Sequence, residues 1–147
     1  MNNPEFKTSL HLLENYVFRI DFDEYGYILT DEPPPLGEGE GPNPARLVAA
    51  AVANCLSASL LFALRKKKQE PKGLKAEAVG ALHRVDGLWR IKSIDVTLNL
   101  DTDGIQDGLL KEALAVFEDF CIVTQSIRDG IPISMQVKDM NGGSLTP

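Results

Sequence analysis

From Leu47 to Leu64 the chain carries no charged residue, and this stretch constrains the fold more than any other feature. Asn43 and Pro44 stand just ahead of it. An Asn side chain accepts a bond from an unpaired N–H of a first helical turn, and proline suits the first helical position, where no N–H is required. Arg65-Lys66-Lys67-Lys68 follows the apolar run, where cations meet the negative end of a helix dipole. Pro71 and Gly73 then end the pattern, so the predicted helix runs from Asn43-Pro44 to about Lys68. Almost every face of it is apolar, and a helix of that kind must be covered on all sides. Its length and basic flank touch the criteria for a membrane span. Against this, the run is alanine-rich and holds Asn54, Ser57 and Ser59, polar groups that are costly in lipid. The expectation is a buried central helix of a soluble, dimeric protein, with no membrane span.

The rest of the chain supplies the cover. Tyr16, Phe18, Ile20 and Phe22 alternate with Val17, Arg19 and Asp21, which predicts a strand with one buried face. Phe6–Leu13 is a weaker strand candidate before it, and Tyr25-Gly26-Tyr27 predicts a turn into a short strand near Ile28–Thr30. Asp31–Pro42, with three consecutive prolines and alternating glycines, is a stiff loop, read either as a linker or as a wall beside a site. Leu74–Val85 and Leu88–Leu100 form a hairpin around Asp86-Gly87, a two-residue turn signal. A second helix is predicted from about Leu109 to beyond Phe120, with Leu110, Ala113, Leu114, Phe117 and Cys121 as its apolar stripe. Ile131, Ile133, Met135 and Val137 alternate as a last strand, and Asn141–Pro147 is expected to be a disordered tail. The order gives a single α+β domain over residues 1–147, with strands segregated around two core helices.

A net charge of −6 argues against nucleic-acid partners, which call for a basic face. Met1–Leu13 lacks a basic start followed by an apolar core, so no signal peptide and a cytoplasmic location are expected. In that compartment thiols are kept reduced. His11 and His83 fall in separate strands and no Cys/His spacing matches a zinc site, so neither metal nor other cofactor is expected. The chemistry therefore rests on its two cysteines, Cys55 and Cys121. Each alone is explained by packing, because free cysteine acts as a small buried hydrophobe. Together, on neighbouring core helices, they would form an attacking and resolving pair, since a thiolate attacks a peroxide O–O bond and a second thiol condenses with the sulfenic acid.

Leu36-Gly37, Gly41-Pro42-Asn43-Pro44, Leu47, Ala49-Ala50, Ala53 and Cys55 make a glycine-containing loop, an Asn-Pro helix start and a small-residue run ending in cysteine. Phe117-Glu118-Asp119-Phe120-Cys121-Ile122-Val123 supplies a second cysteine motif, with the hairpin between the two. This joint pattern resembles the OsmC/Ohr superfamily of two-cysteine thiol peroxidases, in a divergent OsmC-like branch, over nearly the whole chain. The resemblance implies an intertwined homodimer with its active sites at the subunit interface. It also implies organic hydroperoxides, alkyl or fatty-acid, as substrate, Cys55 attacking, Cys121 resolving and a dithiol such as a lipoyl group as reductant. Family members usually carry a glutamate after the Asn-Pro pair, which helps hold an arginine over the reactive sulfur; here that position is Ala45, and the preceding loop holds Glu38 and Glu40 but no arginine. Ile122 replaces a proline common after the second cysteine, and Asp31 and Glu32 are close enough in sequence to replace the lost carboxylate. Arg19 is the first candidate for the missing cation, reaching a partner's site, since Arg46 is rotated about 100° from Ala45 along the helix. The alternative reading is a non-catalytic dimer that binds a small apolar ligand in the same cleft.

Overall fold

The computed structural model describes residues 3–146. Three strands open it: β1 (Ser9–Glu14), β2 (Val17–Asp21) and β3 (Tyr27–Thr30) form an antiparallel sheet in the order β1-β2-β3. Leu10 lies opposite Ile20 and Leu12 opposite Phe18, while Ile20 pairs with Ile28, so these side chains share one apolar face. The alternation of Phe18 and Ile20 is as expected. Yet Tyr16 and Phe22 fall outside β2, and its one buried residue is Val17. Leu10 and Leu12 are more than half exposed, left open by the other described residues.

Helix α1 (Pro44–Lys66) begins where the Asn-Pro pair predicts, with the Asn43 side chain accepting the Arg46 N–H at 3.0 Å. By length and composition it is apolar enough to cross a membrane. In this fold it packs instead against β4 (Leu74–Val85) and β5 (Leu88–Leu100), and against α2 (Asp107–Val116) and α3 (Ile122–Asp129). It is not surrounded within one chain: Val52, Leu56, Ser59, Leu60, Ala63 and Leu64 are buried, while Val48 and Phe62, on an adjoining stripe, are exposed.

The hairpin forms over the predicted ranges. Asp86 and Gly87 both have positive φ, 52° and 81°, as a tight two-residue reversal between right-twisted strands requires. Ile94, Val96, Leu98 and Leu100 face inward and their neighbours Asp95, Thr97 and Asn99 outward. Leu60, Ala63, Leu64, Ile105 and Ala113 form one buried cluster, sealed by Leu98, Leu110 and Phe117. Burying a leucine such as Leu64 contributes about 1.5–3 kcal/mol.

Two expectations near the C-terminus are corrected. The second helix does not run through Cys121: α2 ends at Val116, a 3-10 turn occupies Phe117–Phe120, and Cys121 is the extended residue that opens α3. The break comes from Cys121 itself, whose sulfur accepts the Thr124 N–H and so caps a new helix. The last strand is also absent. Ile131, Ile133, Met135 and Val137 are exposed, from 45 % to 89 %, and no regular strand among the described residues lies alongside; Val137 alone of the four bonds across the tail, its carbonyl accepting the Leu145 N–H and its N–H donating to the Thr146 hydroxyl. The tail is not free coil: the Asp139 carboxylate accepts the N–H groups of Asn141 and Gly143, closing a turn that pairs Lys138 with Ser144. Pro147, the end of that expected tail, lies outside the described residues.

Candidate active site

Cys55 stands mid-way along α1 and is partly exposed, beside the uncovered stripe of the helix. Cys121 is fully buried. Both belong to one core cluster with Val52, Leu56, Ile94, Val96, Phe117 and Val123. Two thiols from elements far apart in sequence thus converge, one open to small molecules and one sealed.

Their surroundings differ in polarity. Cys121 sits at the mouth of α3, with Thr124 Oγ1 2.9 Å and the Thr124 N–H nitrogen 3.4 Å from its sulfur. Thr124 is itself buried, as is Ser59, one turn along α1 from Cys55. Burial pushes the Cys55 thiol above its ordinary value; the Val123 N–H opposes the rise, and the neighbouring Cys121 adds to it. Burial acts upward on Cys121 too, but bonds with the Thr124 hydroxyl, Cys55, the Thr124 N–H and Ser59 outweigh it, and this thiol lies below its ordinary value.

Arg19 is not among the groups acting on either sulfur in this chain. It lies on β2, bonded to Asp21 at 2.9 Å, with its guanidinium 3.9 Å over the Tyr27 ring. Ala45 lines a cavity of about 340 Å³ between the start of α1 and the hairpin, shared with Asn43, Arg46, Ala49, Ala78 and Ile94. Asp31 does not stand in for the glutamate. Its carboxylate is buried and accepts the N–H groups of Glu32, Glu38 and Glu40 at 2.7, 3.2 and 3.0 Å, which holds the proline-rich loop closed. Those bonds hold its carboxyl below the ordinary range, the Glu40 N–H most of all, against a smaller upward push from burial. Gly37 and Gly41 are required here, since a Cβ would strike the Asp31 carboxylate or the Leu29 carbonyl.

Sequence reasoning missed Thr124 and the hydrogen-bonding role of Ser59. The signal for Thr124 was a hydroxyl residue three places after a cysteine, the spacing of a cap and its third helical residue. It was hidden because the apolar period ran on through Cys121.

Residues 37–136 match the family described as OsmC-like protein. An uncharacterized protein of Bacillus subtilis, YmaD, is 23% identical over 111 residues, which are 73% of this chain and 74% of that protein. Among solved structures, an OsmC-like protein from Mycoplasma pneumoniae superposes with a TM-score of 0.72 at 16% identity, over 88% of this chain and 91% of the other. The organic hydroperoxide resistance protein OhrB of Bacillus subtilis superposes at 0.62 with 20% identity, over 85% and 93% of the two chains.

Proposed function

This chain belongs to the OsmC-like protein family, and on that premise we propose that it reduces organic hydroperoxides through Cys55 and Cys121. The observation that carries the reading is the convergence of a partly open thiol and a sealed one in a single apolar cluster. Apolar walls suit an alkyl or fatty-acid hydroperoxide. The Cys55 thiolate attacks the O–O bond, the alkoxide leaves and takes a proton as an alcohol, and Cys55 becomes a sulfenic acid. The Cys121 thiolate then attacks that sulfur, hydroxide leaves as water once protonated, and a disulfide remains for a dithiol, such as a lipoyl group, to reduce. A cytoplasmic setting, where such dithiols and reduced thiols persist, belongs to the same reading.

A homodimer is part of it. The uncovered faces of β1-β2-β3 and α1, and the exposed apolar residues of 131–137, together need a second copy to bury them. Arg19 of that second copy is our candidate for the cation at Cys55. A second reading, a non-catalytic dimer binding a small apolar ligand, is favoured by the raised Cys55 thiol and the cavity at Ala45. Peroxide consumption in the presence of a dithiol separates the two. Turnover in the wild type, lost in Cys55→Ser, is expected; no consumption by the wild type would leave the ligand reading.

A further inference from the structure

Within the proposed reaction, a partly exposed cysteine and a fully buried one cannot play equal parts when the disulfide is reduced. Cys55 is the less buried of the pair and Cys121 is fully buried, so a dithiol is expected to attack at Cys55. We propose that Thr124 is a positioning residue that makes Cys121 the leaving thiolate in this step, so that every reduction runs through a mixed disulfide on Cys55.

The geometry supports this in three ways. The Thr124 hydroxyl is 2.9 Å from the Cys121 sulfur and is buried with it. A hydroxyl both donates and accepts. It accepts from Cys121 as a thiol, as in the reduced structure, and turns to donate when the sulfur becomes an anion. The Thr124 N–H, 3.4 Å away, points at the same sulfur from the first turn of α3 and donates to either form. The lowered Cys121 thiol fits this arrangement, and a thiol of lower pKa leaves faster in exchange.

The electron count is that of ordinary exchange. One thiolate of the dithiol attacks Cys55 Sγ, the S–S bond breaks, and its electron pair departs on Cys121 Sγ, where Thr124 holds the charge. The second thiol of the dithiol then attacks its own sulfur in the mixed disulfide. Cys55 is released, the dithiol departs as a cyclic disulfide, and the protein gains two electrons and two protons.

The inference rests on the proposed cysteine pair, and the test separates the two. The disulfide is formed once with cumene hydroperoxide and once with diamide, which oxidises thiols without peroxide chemistry. Its reduction by dithiothreitol is followed by stopped flow in the wild type, Thr124→Val and Thr124→Ser. Thr124→Ala serves as a second hydroxyl-free variant, with circular dichroism to check folding. In the Cys55→Ser background, the pH titration profile of the Cys121 thiolate, read by its ultraviolet absorbance, is compared with and without Thr124→Val. Removal of the hydroxyl should shift that profile up by about one pH unit and slow reduction by about threefold or more, with serine restoring both. A disulfide formed by diamide but not by hydroperoxide would sink the peroxidase reading and still give the reduction rates. Unchanged profiles and rates in the hydroxyl-free variants, or no disulfide with either oxidant, would overturn the role of Thr124.

Discussion

Cys55 and Cys121 are the same residue type in one cluster, and their neighbours make them different acids. At Cys55 burial is opposed by the Val123 N–H and Ser59, while Cys121 has Ser59 together with both the hydroxyl and the N–H of Thr124. A thiol raised above its ordinary value is mostly protonated at neutral pH. The rate of the first oxidation, read by stopped flow with one equivalent of hydroperoxide, should therefore climb with pH from 7 to 9, approaching tenfold per unit. A rate flat over that range would mean that Cys55 is already ionised. Arg19 enters at this scale as well. If it reaches Cys55 across a dimer, Arg19→Ala should raise the Cys55 alkylation profile and slow oxidation by about tenfold, since one opposite charge lowers a pKa by roughly one to three units. Superimposable profiles would confine Arg19 to its bond with Asp21.

Among the elements, the proline-rich loop and α1 are held by different forces. The loop is a polar knot around Asp31, whose carboxyl is ionised more readily in the fold than in the unfolded chain. A group so lowered adds stability above its ordinary value of 3.8 and loses it as pH falls through the lowered folded value. Asp31→Asn turns an amide toward N–H groups that need an acceptor, so proteolysis within 32–42 should quicken while the hairpin stays folded. Resistance equal to the wild type would show that the prolines alone shape the loop. Helix α1 is held by its buried side. Leu64 is fully buried against Leu60, Ala63 and Ala113. Leu64→Ala should lower stability to urea by about 2–5 kcal/mol, whereas Val48→Ala on the exposed stripe should cost far less in an isolated chain.

At the scale of the whole molecule, the unusual quantity is apolar surface left in the open. Leu10 and Leu12 on the first sheet, Phe62 on α1 and Ile133 and Met135 beyond α3 are all at least half exposed. Soluble monomers seldom leave that much apolar area open to water. We expect sedimentation to give a dimer at micromolar concentration, and amide exchange in 131–137 to slow as concentration rises, because a strand forms there only when a second copy supplies backbone partners. A monomer with fast exchange at every concentration would sink the dimer and the supply of Arg19 with it.

Local chemistry determined much of this fold from the sequence. The Asn43-Pro44 start, the Asp86-Gly87 reversal and the inward period of Ile94 to Leu100 depend on residues within one turn or strand of each other, so the chain itself declares them. The cysteine motifs pointed to the family for the same reason. What the sequence left open depends on distant groups. Periodicity carried the second helix through Cys121, since an apolar stripe does not reveal that a sulfur and a hydroxyl will cap a new helix. It likewise gave 131–137 the alternation of a strand, but alternation describes side chains and a strand also needs a backbone neighbour. The contrast between the two thiols lay furthest out of reach, because it arises only where α1, the 3-10 turn and α3 meet, in the balance of burial against hydrogen bonds that packing alone sets.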